Sequence, residues 1–101
     1  MDFDCLELAN VIGFDWDDGN LYKNEKKHGI TWQEIEEVFF NQPLLLAEDA
    51  KHSSYEFRCV AYGKSNHNKK LTMIFTKRDN KICVISARVM SKKERVYYEN
   101  V

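Results

Sequence analysis

The sequence predicts an α+β domain with the order short N-terminal strand, two helices, antiparallel β-meander and C-terminal helix. Apolar residues alternate in the strand segments and recur every three to four residues in the helical segments, and two capping boxes mark helix starts. A chain of 101 residues has the size of one domain. We therefore expect a single domain at residues 13–101, preceded by an N-terminal extension at residues 1–12.

The first strand and the first helix are predicted before residue 30. Apolar residues alternate with small or acidic ones, which indicates a short strand with one apolar face. The apolar members are Ile12, Phe14 and Trp16. A heavily charged helix follows, because Asp17 or Asp18 can accept the free amide hydrogens of a first turn. Gly29 occupies the position where helices commonly end in a left-handed residue.

The second helix is predicted to begin at Thr31, which has the capping-box spacing with Glu34. An apolar stripe follows at helical spacing, so one side of this helix is expected to pack on a sheet. Its members are Trp32, Ile35, Val38 and Phe39. Pro43 is expected to end this helix, since the residue before a proline disfavours helical geometry.

The rest of the chain has the two-residue period of strands and then returns to helix. Strands are expected at residues 44–47, 55–62, 71–76 and 82–87. A polar loop is expected at residues 63–70 and a tight turn at residues 78–81. Ser91 and Glu94 repeat the capping-box spacing, which predicts a last helix at residues 91–99.

The composition indicates a folded protein, because 44% of the residues are hydrophobic and 13% are aromatic. The sequence contains neither the pattern of a signal peptide nor an apolar run of bilayer length, so we expect a cytoplasmic protein without a membrane contact. Cys5, Cys59 and Cys83 are odd in number and far apart. No disulfide framework is therefore expected, and Cys59 and Cys83 are interpreted as small core residues.

The net charge of −1 conceals an uneven distribution along the chain. Residues 1–62 carry five Lys/Arg and thirteen Asp/Glu, a net −8, whereas residues 63–101 carry ten and three, a net +7. This split favours a C-terminal face that attracts anions. The alternative is that the two halves neutralise each other across the fold.

The motifs of nucleotide-binding loops and of nucleophile elbows do not occur in the sequence. His28, His52 and His67 are dispersed, so we expect neither a metal site nor a cofactor. A basic and aromatic group near the end of the chain comprises Arg88, Lys92, Lys93, Arg95, Tyr97 and Tyr98. Guanidinium groups bind phosphate and tyrosine rings stack on unpaired bases, which favours single-stranded RNA. The alternative is a solvated helix face, with Val96 and one tyrosine packed into the core.

Two further patterns bear on this choice. Arg88 ends an apolar strand, where its guanidinium is well placed to hold a phosphate oxygen. Glu56 and Arg58 fall on the same face of another strand, as a catalytic carboxylate beside a guanidinium would. A plain salt bridge gives the same pattern, so both interpretations stay open.

The segments FDWDDGNLYKNEKKHGITW and ISARVMSKKERVYYE resemble the two signature blocks of the BrnT toxin family. The matching residues are Trp16, Asp17, Asn24, Lys27, His28, Gly29, Trp32, Val38, Phe39, Asp49, His52, Glu56, Arg58, Gly63, Ser86, Arg88, Glu94, Arg95 and Tyr98. The resemblance covers about residues 14–99. It departs from the family pattern at Asp18, where proline is frequent, and at Asn20, where a lysine that could contact phosphate is common.

The resemblance implies a RelE-like fold of the RelE/ParE superfamily and a bacterial type II toxin that cleaves RNA and stops translation. The implied partner is a DNA-binding antitoxin of the BrnA type, through which alone the toxin would reach operator DNA. The implied RNA site comprises Lys27, His28, Glu56, Arg58, Arg88, Arg95 and Tyr98, and the basic helix adds Lys92 and Lys93. Tyr98 is expected to stack a base or to donate a hydrogen bond.

The resemblance also suggests a mechanism that needs no metal. A base removes the proton of the RNA 2′-hydroxyl, which attacks the adjacent phosphorus, and an acid protonates the leaving 5′-oxygen. Arg88, with Arg95 or Lys27, would stabilise the charge on the phosphorus. His28 or Glu56 would transfer the proton, although His28 could instead only cap its helix.

Two interpretations from other classes of protein stay open. One is a catalytically silent relative that binds its antitoxin and represses a promoter with it. The other is a small structural domain in which the charge split is merely balanced.

Overall fold

The computed structural model describes residue 8 and residues 10–49 and 57–101. Over this part of the chain the fold is α+β, with short helices on a five-stranded mixed sheet, which confirms the predicted class. The strands are β1 (Gly13–Phe14), β2 (Leu45–Glu48), β3 (Cys59–Lys64), β4 (Lys70–Arg78) and β5 (Lys81–Val89). The helices are α1 (Asp18–Leu21), α2 (Lys23–His28), α3 (Trp32–Val38) and α4 (Lys92–Glu99).

The strand order in the sheet is β1-β5-β4-β3-β2. Strands β2 to β5 form the predicted antiparallel meander. Strand β1 adds to the outside of β5 in parallel, with Gly13 opposite Lys81 and Phe14 opposite Ile82. The strand predicted before residue 17 is thus only two residues long, and Ile12 is exposed rather than part of an apolar face.

The charged helix predicted after β1 consists of two pieces, α1 and α2, which are separated at Tyr22. Asp17 is the residue that caps α1, because its carboxylate accepts a hydrogen bond from the Asn20 amide at 2.7 Å. Gly29 ends α2 with φ 70° and ψ 23°, which confirms the predicted left-handed cap.

Side chains of α1 and α2 bind the outer edge of β5 beyond the short parallel pairing with β1. Asn20 donates to the Val84 carbonyl and Lys23 donates to the Ile85 carbonyl. The side-chain oxygen Oδ1 of Asn24 accepts a hydrogen bond from the Ala87 amide at 3.2 Å. These bonds satisfy backbone groups that an unpaired strand edge would otherwise leave without partners. They also fix α2 beside β5, with both running in the same direction.

Helix α3 begins at the predicted residue. The Thr31 hydroxyl accepts from the Glu34 amide at 3.2 Å, and the Glu34 carboxylate accepts from the Thr31 amide at 2.9 Å. The helix ends at Val38, five residues before Pro43, so the predicted end is wrong. After Val38 the backbone amides bond to carbonyls three residues earlier and not four, from Phe39 to Glu36 and from Phe40 to Glu37, so the helix tightens into a turn before the proline is reached.

The polar loop predicted at residues 63–70 is shorter than expected, because Gly63 and Lys64 belong to β3 and Lys70 belongs to β4. Gly63 is buried under α3, where a Cβ atom would lie 2.5 Å from Val38 Cγ1. The glycine therefore permits close approach of α3 to the sheet and does not mark a turn. The tight turn predicted between β4 and β5 is confirmed, with φ of 52° at Asp79 and 64° at Asn80.

The core lies between α3 and one face of the sheet. Its buried side chains are Ile30, Ile35, Val38, Cys59, Ala61, Leu71, Met73, Phe75, Ile82, Val84 and Ala87. Cys59 and Cys83 are both buried, as predicted. However, Cys59 is disulfide-bonded, which contradicts the expectation from cysteine number and spacing, whereas Cys83 is a free thiol. Cysteine number and spacing were a poor guide because a disulfide depends on the distance between the two residues in space and not along the chain.

Replacement of Gly63 by alanine is expected to destabilise the protein by about 1–3 kcal/mol, because the added methyl group overlaps a buried valine on α3. Gly19→Ala is the matched control, since its Cβ would meet its nearest atom at an ordinary 3.6 Å and alanine favours a helix. Urea unfolding measures both changes. Equal midpoints for the two variants would contradict the close packing of α3 on β3.

Candidate functional site

The face of the sheet opposite the core carries a row of one aliphatic, one aromatic and two polar side chains. Strand register places Leu45, Tyr62, Thr72 and Arg88 side by side across β2 to β5. Side chains directly opposite one another in neighbouring strands project to the same face, so these four belong to one surface. Helix α4 lies against this row, because Glu94 contacts both Thr72 and Arg88.

The Glu94 carboxylate is the centre of this surface. Two guanidinium nitrogens of Arg88 donate to its two oxygens at 2.7 and 2.8 Å. The Thr72 hydroxyl and the Ser91 amide donate to the same carboxylate at 3.0 and 2.8 Å. The bonds from Arg88, together with those from Ser91 and Thr72, lower the pKa of Glu94 from 4.5 to about 2. Glu94 is therefore a permanent carboxylate at neutral pH and is a poor proton donor.

Arg88 is thus held in a bidentate ion pair and does not project freely into solvent. Half of its side chain nevertheless stays exposed, and a guanidinium has five N–H donors, of which Glu94 takes two. The bond to Glu94 also raises the pKa of Arg88. The arrangement presents a fixed cation at the end of the row, beside Thr72.

The predicted basic residues of α4 are exposed. Lys92, Lys93 and Arg95 all lie on the solvent side of the helix. Their positive charge is partly balanced at the far end of α4, where Lys70 and Arg95 lower the pKa of Glu99. An ion pair between Lys69 Nζ and a Glu34 carboxylate oxygen, 3.0 Å apart, joins the basic half of the chain to the acidic half.

The prediction that Tyr98 stacks a base does not fit its position. Tyr98 is only 4% exposed, its hydroxyl donates to the Pro43 carbonyl at 2.5 Å, and burial raises its pKa. Its neighbour Tyr97 is 60% exposed and packs edge-on against Tyr62, with 5.9 Å between the ring centroids. Val96, expected in the core under the alternative interpretation, is also exposed. The accessible aromatic pair is therefore Tyr62 and Tyr97.

Lys27 and His28 are exposed at the C-terminal end of α2. Within the part of the chain that the structure describes, the His28 imidazole makes no hydrogen bond to its helix, whose end is capped by the Gly29 amide. Asn24 accepts a hydrogen bond from Ala87, two residues before β5 ends at Val89. His28 follows Asn24 by about one helical turn. His28 consequently lies level with the end of β5, where α4 begins.

The remaining predicted residues are only partly described. Glu56 and His52 lie outside the described residues, so the pairing expected between Glu56 and Arg58 stays a prediction. Arg58 immediately precedes β3 and is half-buried, and its carbonyl accepts a hydrogen bond from the Asp49 amide at 2.8 Å. Among residues 10–49 and 57–101, no three His, Cys, Asp or Glu side chains are grouped as a metal site would require.

Comparison with protein families places residues 16–94 in the family described as "Ribonuclease toxin, BrnT, of type II toxin-antitoxin system". The matched region runs from the Trp16 segment to Glu94. It therefore includes the row of Leu45, Tyr62, Thr72 and Arg88 on the sheet face opposite the core, which we call the open sheet face because α3 does not cover it. A comparison with curated proteins gave no match. None of the helices in the described residues is long and apolar enough to cross a membrane.

The stability of the protein is expected to fall as the pH drops from about 4.5 to about 2. Glu94 has a lowered pKa in the folded state, so its contribution is complete above pH 4.5 and is lost on protonation. Because the carboxylate is partly exposed, we expect this contribution to be on the order of 1–2 kcal/mol. Urea unfolding from pH 6 to pH 2 measures it.

The variant Glu94→Gln isolates this effect, because glutamine retains the capping box but loses the ionised pair. Its stability is expected to depend less on pH than that of the wild type. Glu25→Gln, which changes an exposed glutamate on α2, is the control and is expected to retain the wild-type slope. Parallel pH profiles for wild type and Glu94→Gln would show that the carboxylate is not stabilised by folding.

Tyr98→Phe is expected to destabilise the protein by about 0.5–1.5 kcal/mol, because the hydrogen bond from the Tyr98 hydroxyl to the Pro43 carbonyl is lost. Its affinity for RNA, measured with folded protein, is expected to equal that of the wild type. Thermal unfolding and fluorescence anisotropy with labelled RNA provide the two measurements. A loss of RNA affinity at unchanged stability would restore Tyr98 as a contact residue.

Proposed function

Because the chain belongs to the BrnT family of type II ribonuclease toxins, we propose that it is a metal-independent endoribonuclease that binds single-stranded RNA on its open sheet face. The family implies an RNA substrate and an antitoxin partner. The observation that carries the proposal is the row that ends in Arg88, flanked by exposed cations on α4 and by an accessible tyrosine pair. Cations neutralise phosphates and rings stack on bases, as single-stranded RNA requires.

In the proposed reaction the 2′-hydroxyl of the RNA gives its proton to a base and attacks the adjacent phosphorus, the bond from phosphorus to the 5′-oxygen breaks, and an acid protonates that oxygen. The nucleophile is part of the RNA, so no metal-bound water is needed. His28 is our candidate for proton transfer, because an imidazole nitrogen can accept or donate a proton and this side chain is exposed at the end of α2. Arg88, with Lys27 or Arg95, would stabilise the negative charge that develops on the phosphate oxygens. Glu94 is not a suitable acid, since its pKa is about 2. Glu56 keeps the alternative proton-transfer role implied by the resemblance.

We further propose that this activity inhibits translation by cleaving messenger RNA, free or on the ribosome, and that a BrnA-type antitoxin neutralises it. Contact with operator DNA would then occur only through the antitoxin. A RelE/ParE-like relationship is consistent with a meander followed by a C-terminal helix. These four statements rest on the resemblance of the sequence.

One observation favours a second candidate, a catalytically silent module that binds RNA or antitoxin and represses transcription with the latter. The Arg88 charge is neutralised by Glu94, which leaves less positive charge for a transition state than an unpaired arginine would supply. Phosphate contacts alone do not distinguish binding from catalysis.

Purified protein is expected to cleave labelled single-stranded RNA equally with and without EDTA and to leave 2′,3′-cyclic or 3′-phosphate ends. His28→Gln is expected to reduce the rate by about 10²- to 10⁴-fold, as loss of a general acid or base does. Arg88→Ala is also expected to abolish most activity, after circular dichroism has confirmed its fold. His67→Gln and Lys81→Ala, which change exposed residues outside the proposed site, are the controls.

Cleavage that requires a divalent metal would contradict the proposed mechanism, as would an undiminished rate in His28→Gln. Intact RNA in every reaction, including reactions with added ribosomes, would instead support the silent binding module. A rate reduced equally by His67→Gln would show that the histidine effect is not specific to the end of α2.

A further inference from the structure

We propose that Tyr97 and Tyr62 form a base-stacking subsite that receives one unpaired nucleobase of the bound RNA. The inference rests on the RNA-binding function proposed above and assigns a specific contact within it. The two rings line a groove of about 380 Å³ between α4 and the open sheet face, together with Ala47, Lys93 and Glu94.

The geometry of the two rings suits a flat ligand. The planes of the two rings are inclined at 68°, with the edge of one ring directed at the face of the other. A flat ligand that stacks on one ring can therefore also contact the second ring at its side. Tyr97 is 60% exposed, whereas the sheet supports Tyr62 from below. A base can stack on the open part of the Tyr97 ring without displacing any core side chain.

The polar groups of the groove predict little preference among bases. The Glu94 carboxylate already accepts four hydrogen bonds, from Arg88, Thr72 and Ser91, so its acceptor sites are occupied. Burial, followed by the nearby Glu94 charge, raises the pKa of Tyr62, which therefore stays a neutral phenol. Recognition should depend mainly on the ring surface, which every base shares.

The charges around the groove indicate RNA as its occupant. Lys93 lines the groove, and Arg88 lies in the same row as Tyr62, two strands away. With neighbouring strands about 4.8 Å apart, the backbone positions of Tyr62 and Arg88 are roughly 10 Å apart. A phosphate at Arg88 and a base on Tyr97 can thus belong to the same short segment of RNA. The other candidate occupant, an apolar segment of the antitoxin, would gain nothing from these cations.

The test uses a labelled 2′-O-methyl decanucleotide, which binds but lacks the nucleophilic hydroxyl, and fluorescence anisotropy as the readout. Tyr97→Ala is expected to weaken binding by about 5- to 100-fold, as loss of one stacking partner does. Tyr97→Phe is expected to stay within about twofold of wild type, because it keeps the ring. Tyr22→Ala is the matched control, because it removes a tyrosine of nearly equal exposure that lies between α1 and α2, outside the groove.

Salt dependence and abasic oligonucleotides separate stacking from charge. Tyr97→Ala is expected to leave the slope of log affinity against log salt unchanged, whereas Lys93→Ala is expected to reduce it by about 0.7. In a series of oligonucleotides with one base removed at each position, one position should weaken wild-type binding and have no further effect in Tyr97→Ala. That non-additivity identifies the base that occupies the groove.

Wild-type affinity in Tyr97→Ala would overturn the subsite, and so would fully additive effects of the variant and the abasic position. If such a variant bound RNA normally but lost affinity for the antitoxin, the groove would belong to the protein partner. In both cases RNA cleavage by the wild type would leave the proposed function intact. Wild-type protein that neither binds nor cleaves RNA would overturn both proposals.

Discussion

The position of the C-terminal helix depends on the hydrogen bonds to a single carboxylate. Glu94 accepts bonds from β4 through Thr72, from β5 through Arg88, and from the first turn of α4 through Ser91. Charge-assisted bidentate bonds are stronger and more directional than neutral ones, so they fix the angle at which α4 leaves the sheet. With that angle fixed, Tyr97 meets Tyr62 and Tyr98 reaches the Pro43 carbonyl. The candidate site and the anchoring of the helix therefore share the same interactions.

Polar side chains of α1 and α2 form hydrogen bonds with the edge of the sheet, so their residue types do not by themselves indicate a ligand-binding site. Asn20 was interpreted as the loss of a phosphate-binding lysine, but its side chain donates to a β5 carbonyl. Asn24, a residue of the family signature, accepts a backbone hydrogen bond from β5 and is buried. These two positions explain why a charged helix stays attached to a strand edge. The basic residues of the last turn, Lys26, Lys27 and His28, are exposed and stay available for contact with a ligand.

Features that depend on neighbours in the sequence could be predicted, and those that depend on distant contacts could not. The caps at Thr31 and Ser91 depend on glutamates three positions later, and the cap at Gly29 depends on the helical turn just before it. Local spacing was therefore sufficient to predict these three helix ends. Gly63 was predicted to lie in a loop, but a glycine is needed there because Val38, 25 positions earlier in the chain, packs against it. The sequence around Gly63 does not indicate that contact.

The orientation of the predicted site residues could not be inferred for the same reason. Tyr97 and Tyr98 are adjacent on α4 and point about 100° apart, and the sequence does not state which of them faces the sheet. The Arg88–Glu94 pair crosses from a strand to a helix, so neither the two-residue nor the 3.6-residue period indicates it. Helical phase and strand-to-helix geometry are set by packing. The residue types of the site could thus be predicted, but their orientation could not.

The contacts along β5 also determine the order in which this protein can fold. Hydrogen bonds to β5 join residues 62 to 64 positions apart, from helices near the beginning of the chain to a strand near its end. Closing such long loops is slow, because the entropy of the intervening chain is lost before the contacts form. During synthesis α1 and α2 emerge long before β5, and the row that ends in Arg88 has no scaffold until then. The surface that we propose to bind RNA is therefore complete only after nearly all of these residues have been made.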